Sequence, residues 1–288
     1  AGARGRGGIS RPRGGRPQGF PFPATDTPMW PELFRIGPLT ISPYGLLVAV
    51  GFFAAILVAT RLGSRREGLE TTKLWDFSLT LVLVALAGAK LLMIVTDPYY
   101  YEHPSNILSL EFVRSAGVFY GGFVAALLYS IWFFRRHRWP GWKAADAFAP
   151  AVALGHTFGR VGCFTAGCCF GRPTDGPLGV VFSDPLCSVE PGFLGKALYP
   201  TQLLEAAGNL LIFIALMLLY RRKKFDGQIM LAYVMSYASL RFLLEFLRGD
   251  VRGWVVPNVI STSQAIVIVL LPVAVWVYWR RRKSASVQ

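Results

Sequence analysis

Apolar runs recur along this chain at about 44–62, 75–96, 117–134, 144–162, 201–220, 228–247 and 260–279, with almost no charge inside them. Each is long enough, at roughly 18 residues or more, to carry a helix across about 30 Å of hydrocarbon. A backbone in lipid has to satisfy its own hydrogen bonds, so runs of this length read as helices. Barrel strands would instead leave alternating segments of about ten residues. The expected fold is therefore all-α: a polytopic membrane protein built as a bundle of seven transmembrane helices. Composition agrees. Only 16% of the 288 residues are charged and 53% are hydrophobic, whereas a soluble domain carries about 25% charged residues. This excludes a soluble globular enzyme, a disulfide scaffold and a DNA-binding module. The net charge of +14 would otherwise suggest a nucleic-acid partner, but it lies mostly in short clusters between apolar runs, and no nucleic acid is expected.

Those clusters set an orientation. RLGSRREGLETTK (61–73), RRHRWPGWK (135–143), RRKKFDGQ (221–228) and RRRKS (280–284) all fall on one side of the bundle. The other side carries 97–112, 163–200 and 249–258. The positive-inside bias places the basic loops and the C-terminus in the cytoplasm and the N-terminus outside. Residues 284–288 read as a short cytoplasmic tail. Trp30, Trp139, Trp142, Trp254 and Trp279 sit near span ends, as an aromatic belt does. No internal repeat is evident, which counts against an inverted-repeat transporter. Residues 1–28 are different in kind: Gly, Pro and Arg dominate, and five Arg against one Asp contribute +4. Without an apolar run they read as a disordered tail or as sequence ahead of a natural start at Met29. The functional unit is then expected at 29–283.

Charged residues inside spans are the informative exceptions, because each costs about 2.5–3.5 kcal/mol at mid-bilayer on insertion scales. They are Lys90, Asp146, His156, Arg160, Glu205, Arg241 and Glu245, with Arg248 at the outer end of the sixth span. The fourth span, interrupted by Asp146, His156 and Arg160, should face the bundle interior. In LRFLLEFLRGD (240–250), Arg241, Glu245 and Arg248 share one helical face. They either neutralise one another or leave a guanidinium for an anion. In ALGHTFGRVGCFTAGCCFGRPTD (153–175), His156 and Arg160 are one turn apart, and Arg160 and Arg172 bracket a glycine-rich turn containing Gly171. Guanidiniums converging near the outer membrane surface match a phosphate, since Arg offers planar bidentate donors. A lipid headgroup phosphate is the commonest anion at that depth.

Cys163, Cys168, Cys169 and Cys187 do not form a standard zinc spacing. They read as small packing residues of the turn, with a disulfide from Cys168 or Cys169 to Cys187 as the alternative. No metal and no cofactor is expected. Tyr44, in SPYGLL (42–47), and Tyr120, in VFYGG (118–122), are of a residue type more often found as a membrane-interface anchor than as a catalyst.

Taken together, these residues resemble the bacterial prolipoprotein diacylglyceryl transferase family from Met29 to about Trp279. MWPELFRIGPLTISPYGLL (29–47) is similar to its beginning. GRVGCFTAGCCFGRPTD (159–175) resembles its signature GRIGNFINGELWGRPTD, and YPTQLLEA (199–206) its H-P-[ST]-Q-L-Y-E segment. GQIMLAYVMSYASLRFLLEFLRGD (227–250) is similar to its sixth span, with R-F-x-x-E-x-x-R intact, and ISTSQ (260–264) resembles T-x-G-Q. Three positions depart. The F-H-G-G histidine is Tyr120 here, the signature Asn is Cys163 and the signature Glu is Cys168. A branch of the family with GCF…GCC and a histidine in the preceding turn matches His156.

The resemblance implies a seven-span bundle with a periplasmic head between spans 4 and 5, in the bacterial cytoplasmic (inner) membrane. It implies transfer of the diacylglyceryl group of phosphatidylglycerol onto the lipobox cysteine of preprolipoproteins, with a thioether formed and glycerol phosphate released. The partners implied are phosphatidylglycerol, preprolipoprotein signal peptides and membrane lipid, and the chain is expected to act as a monomer. Residues matched to the family pattern are Tyr44, Arg160, Gly171, Arg172, Gln202, Glu205, Arg241, Glu245 and Arg248. In such a reaction the thiolate is the nucleophile, while a thiol near pKa 8.5 is mostly protonated. Arg does not deprotonate but suits a leaving phosphate, so Arg160 and Arg241 are assigned to the phosphate, with Arg172 or Arg248 secondary. Glu245 is expected to orient Arg241 or Arg248. His156 is the candidate base, with Tyr120 its rival by position. Gln202, Glu205, Tyr44 and Gly171 are expected to line the substrate site. The competing readings are a phospholipid-binding or transport protein without chemistry, and a family member acting on a different acceptor.

Overall fold

The computed structural model describes residues 25–26, 33–36, 39–109, 112–113, 115, 117–250, 254–256 and 260–285. Seven long helices occupy the apolar runs: α1 (Pro43–Glu67), α2 (Thr71–Thr96), α3 (Phe119–Arg136), α4 (Gly141–Ala166), α5 (Thr201–Tyr220), α6 (Gln228–Glu245) and α7 (Thr262–Ala285). Four of these, α1, α2, α5 and α7, are long and apolar enough to cross a membrane. The chain is a predominantly helical membrane protein.

Local chemistry sets the helix ends. Ser42 caps α1, its Oγ accepting from Gly45 N at 3.2 Å, with Pro43 in the first turn, where a missing N–H is harmless. Gly68 closes the helix at φ 67°, a conformation that glycine adopts without strain. The last turn of α4 ends on Gly167 at φ 75°. Gly167 N donates to Phe164 O and Cys168 N to Cys163 O, both 3.2 Å. This is a Schellman closure, and it turns the chain sharply back over the helix end.

α4 lies at the centre of the bundle, packed against α1, α5 and α6, while α2 and α3 form a separate pair alongside α1. Small residues permit both close approaches. A Cβ on Gly51 would come within 2.9 Å of Phe158 Cβ and 3.1 Å of Gly155 O across the α1–α4 crossing. On the α2–α3 crossing, a Cβ on Gly88 would stand 2.6 Å from Gly121 O. In a membrane, where lipid is as apolar as leucine, such small-residue contacts carry much of helix association. Toward the basic end, Phe77 of α2 is nearly inaccessible among the rings of Tyr129, Phe133, Phe134, Trp139 and Phe148.

The end opposite the basic loops is irregular. β4 (Val180–Val181) pairs antiparallel with β5 (Ala197–Leu198), and β1 (Thr25–Asp26) pairs parallel with β4 in register Thr25↔Val180. β2 (Phe34–Ile36) pairs with β3 (Leu39–Ile41), and β6 (Trp254–Val256) with β7 (Ile260–Ser261). Phe170, Phe182, Val189, Leu198 and Cys187 form a small core beneath the first of these sheets. The disordered-tail reading of 1–28 falls mostly outside the described residues; Thr25 and Asp26 belong to the sheet.

Two of the intramembrane charges prove structural. Lys90 Nζ donates to the carbonyls of Phe112 and Ser115 and to Ser115 Oγ, tying α2 to the segment before α3. Asp146 is inaccessible to solvent and caps α6 from α4, accepting from Gly227 N at 2.7 Å and Met230 N at 2.9 Å. Lys223 completes it at 2.8 Å and also bonds both oxygens of Glu67 at 2.7 Å. Burial pulls the Lys223 ammonium down, but its bonds to Asp146 and Glu67 outweigh that and hold its pKa above the ordinary lysine value. Asp146→Ala would leave Gly227 N and Met230 N without their acceptor and take from Lys223 one of its carboxylate partners, Glu67 and Asp226 remaining. The expected loss is about 1–3 kcal/mol, the scale of leaving buried polar groups unsatisfied, read as unfolding in detergent at neutral pH.

Candidate active site

Glu205, in the second turn of α5, is fully buried, and the site is organised around it. Its Oε1 faces Arg160 Nη2 of α4 at 3.1 Å, Tyr237 Oη of α6 at 3.2 Å and His156 Nε2 of α4 at 3.6 Å. Its Oε2 faces Arg248 Nη1 at 3.8 Å. That last separation is a charge contact, too long for a hydrogen bond, and both atoms are buried with no hydrogen-bond partner among the described residues. Arg160 Nε donates to His156 Nε2 at 3.1 Å, so the imidazole offers that nitrogen as an acceptor. The Tyr237 ring lies 5.0 Å from the His156 ring.

Arg241 lies one turn from Tyr237 on the same face of α6 and within electrostatic range of His156. Its Nη1 pairs with Glu245 Oε2 at 2.5 Å and its Nη2 donates to Ser263 Oγ at 3.1 Å. Glu245 therefore holds Arg241 and not Arg248. Arg248 lies beyond the end of α6, where Asp250 grips it through Nε and Nη2, both 2.9 Å. The three-residue ladder expected on one helical face thus resolves into two separate pairs, because α6 ends at Glu245 and the following turn redirects Arg248 toward α5.

The glycine-rich turn after α4 is stitched to this cluster by backbone. Gly171 N donates to Tyr199 O at 3.0 Å, Arg172 N to Leu247 O at 2.9 Å, and Gly171 and Arg248 form an isolated bridge. A Cβ on Gly171 would stand 2.6 Å from both Tyr199 Cβ and Tyr199 O, and 2.7 Å from Leu247 O. The absence of a side chain at Gly171 thus lets the turn pass between two other segments. Gln202, also fully buried, donates from Nε2 to Cys168 O at 2.7 Å, and Thr201 Oγ1 donates to Cys169 O at 2.9 Å. Gln202 therefore anchors the turn. Tyr44 packs against Gly162 at the mouth of the α1–α4 crossing. Arg172 is exposed, and no ion pair engages it among the described residues.

His156, Arg160, Glu205, Arg241, Glu245 and Arg248 are thus brought to one end of α4, α5 and α6. Tyr120 is not joined to them. It stands 54% exposed at the start of α3, beside Phe119, on the helix pair that lies outside the central bundle. Sequence reasoning missed Tyr237 and Asp250. Tyr237 could have been found as the residue one turn before Arg241 on the face it shares with Glu245. Asp250 could be seen two residues after Arg248, but nothing in the spacing says that the chain turns there. It also treated the cysteines as packing residues. No disulfide joins Cys163, Cys168 and Cys187, and Cys187 lies in the small core beside Gly167, whereas the sulfurs of Cys163, Cys168 and Cys169 lie within 4.8 Å of one another.

Gly171→Ala should force apart the backbone that places Arg248. The expected loss is about 1–3 kcal/mol, typical of overpacking a tight contact, and thermal unfolding of the purified variant in detergent measures it. An unchanged midpoint would mean that the turn yields freely.

The chain is similar to known proteins over most of its length. Residues 31–280 match the family model described as prolipoprotein diacylglyceryl transferase. A phosphatidylglycerol–prolipoprotein diacylglyceryl transferase of Clostridium tetani is 31% identical over 254 residues, 87% of this chain and 97% of that protein. A second, from Clostridium perfringens, is 32% identical over 239 residues, 83% of this chain and 90% of that one. A third, from Geobacter sulfurreducens, is 33% identical over 233 residues, 79% and 84% of the respective chains. Matched by the family model over most of its length, the chain belongs to the prolipoprotein diacylglyceryl transferase family.

Proposed function

We propose that this protein moves the diacylglyceryl group of phosphatidylglycerol onto the cysteine thiol of a preprolipoprotein. The observation that carries the reading is the convergence of Arg160, Arg248 and His156 around one buried carboxylate, Glu205, with Arg241 within electrostatic range of His156. Sulfur forms a bond to a glycerol carbon as that carbon's bond to the phosphate oxygen breaks. The thiol proton passes to a base, and the electron pair of the broken bond leaves with glycerol phosphate. Charge therefore grows on the phosphate in the transition state, where fixed guanidiniums are most effective.

Arg248 Nη1, buried with no hydrogen-bond partner among the described residues, and the remaining N–H groups of Arg160 and Arg241 receive the phosphate. Exposed Arg172 guides the headgroup in. At rest Arg160 Nε occupies the His156 lone pair. When Arg160 turns to the phosphate, His156 Nε2 takes the thiol proton, and the imidazolium is stabilised by Glu205 Oε1 at 3.6 Å. Glu245 and Asp250 position Arg241 and Arg248. The thiol belongs to the acceptor peptide, so the chain's own cysteines are not the nucleophile.

This reading places all seven helices across the bacterial cytoplasmic membrane, with the residues between α4 and α5 as a periplasmic head and the C-terminus in the cytoplasm. The catalytic unit is residues 29–283, acting as a monomer. What supports the orientation is the basic character of the four loops at the opposite end. Reporter fusions after residues 138 and 224 should read cytoplasmic and one after residue 186 external; the reverse pattern would refute it.

Purified variants, assayed with phosphatidylglycerol vesicles and a lipobox peptide and followed by product mass, test the chemistry. His156→Gln should lower turnover about 10²-fold or more, the scale of a lost general base, while Tyr120→Phe stays near wild type. Arg241→Lys should lose most activity despite keeping its charge, because the planar fork is lost. An active His156→Gln with a dead Tyr120→Phe would transfer the base role to the tyrosine. Phosphatidylglycerol binding with no thioether formed by the wild type would leave a lipid-binding protein.

A further inference from the structure

The reaction proposed above makes no use of the three thiols that meet at the end of α4. Cys163 lies in the last turn of that helix, and Cys168 and Cys169 follow its Schellman closure. The three Sγ atoms lie within 4.8 Å of one another. Thiols around a single metal, each about 2.3 Å from it, stand roughly 4 Å apart, so a small contraction would complete such a geometry.

The arrangement is imposed by the fold. Gly167 turns the chain back at φ 75°, and Cys169 takes φ 61°, a left-handed conformation that a residue with a Cβ rarely adopts. Between them the backbone is reversed tightly enough to bring residues 168 and 169 over residue 163. α5 then fixes the turn through the two cysteine carbonyls, by Gln202 to Cys168 O and Thr201 to Cys169 O. Positive charge stands close by. Arg160 lies one turn before Cys163, and Arg248 is within electrostatic range of Cys169. Two guanidiniums would offset the net negative charge that three thiolates place around one metal ion.

From these observations we propose that Cys163, Cys168 and Cys169 form a three-thiolate site for one Cu(I) ion. Sulfur-only donors select soft cations. Among the described residues the cluster offers three ligands and no fourth, which suits a three-coordinate Cu(I) better than a structural Zn²⁺ that takes four. Binding involves no change of oxidation state: three S–Cu bonds form, and the thiol protons are released to solvent. The site does not depend on the transferase reading.

The full chain, purified in detergent, reduced and metal-free under anaerobic conditions, should withhold one equivalent of Cu(I) from a competing colorimetric chelator. X-ray absorption at the copper edge should find three sulfurs at about 2.3 Å. Cys163→Ser and Cys168→Ser should each weaken retention at least about 10-fold, the lower range seen even for outer-shell losses, while Cys187→Ser, outside the cluster, leaves it unchanged. Since a serine variant can misfold, maleimide labelling of the wild type supplies a second reading: Cu(I) should protect Cys163, Cys168 and Cys169 and leave Cys187 unaffected. Failure to retain Cu(I), equal loss in Cys187→Ser, unaltered labelling, or tighter retention of Zn²⁺ than of Cu(I) would overturn the proposal.

Discussion

A carboxylate without solvent contact has to be compensated where it stands, and Glu205 is such a group. Its two oxygens draw Arg160 and His156 from α4, Tyr237 from α6 and Arg248 from the turn beyond α6. No one helix could meet that demand, so α4, α5 and α6 must converge at this end of the bundle. Removing one partner from a buried ion cluster is far more damaging than its net contribution suggests, because the remaining charge is left uncompensated. The same property suits the cluster to the proposed chemistry: its guanidiniums are already gathered in a largely buried place, so that only Arg160 has to turn toward a phosphate.

The opposite end is arranged by a second buried carboxylate, with a different outcome. Asp146 accepts from two backbone amides of the loop into α6 and from Lys223, and Lys223 is shared with Glu67 of α1. Every strong donor there is matched, and the network locks α1, α4 and α6 together. Around Glu205, by contrast, Glu205 Oε2, Arg248 Nη1 and Gln202 Oε1 are buried without hydrogen bonds among the described residues. Two clusters of similar composition thus differ in completeness. The complete one is structural, whereas the incomplete one leaves Arg248 Nη1 as a buried donor without an acceptor among the described residues.

Much of this was legible from the chain itself. Runs of apolar residues place the helices to within a few residues, because a backbone in lipid has few alternatives. The charges inside those runs mark Arg160, Glu205, Arg241 and Glu245, since a charge at that depth is kept only where something compensates it. Pairing was less legible. Arg241, Glu245 and Arg248 have the spacing of one face, and only the end of α6 at Glu245 separates them into Arg241–Glu245 and Arg248–Asp250. Tyr120 lies beside a glycine pair much as a catalytic residue could, yet those glycines serve the approach of α2 to α3.

By itself the sequence determined the helices, their ends and the short inventory of polar groups that a membrane interior must accommodate, since these follow from periodicity, capping chemistry and the penalty on buried charge. Only the tertiary structure decided which groups meet. Glu205 and Arg160 are 45 positions apart in the chain and 3.1 Å apart in space. Cys163 meets Cys168 and Cys169 because the left-handed Gly167 reverses the backbone between them. Such contacts depend on how helices cross and how turns reverse, and those are set by packing among residues distant in sequence.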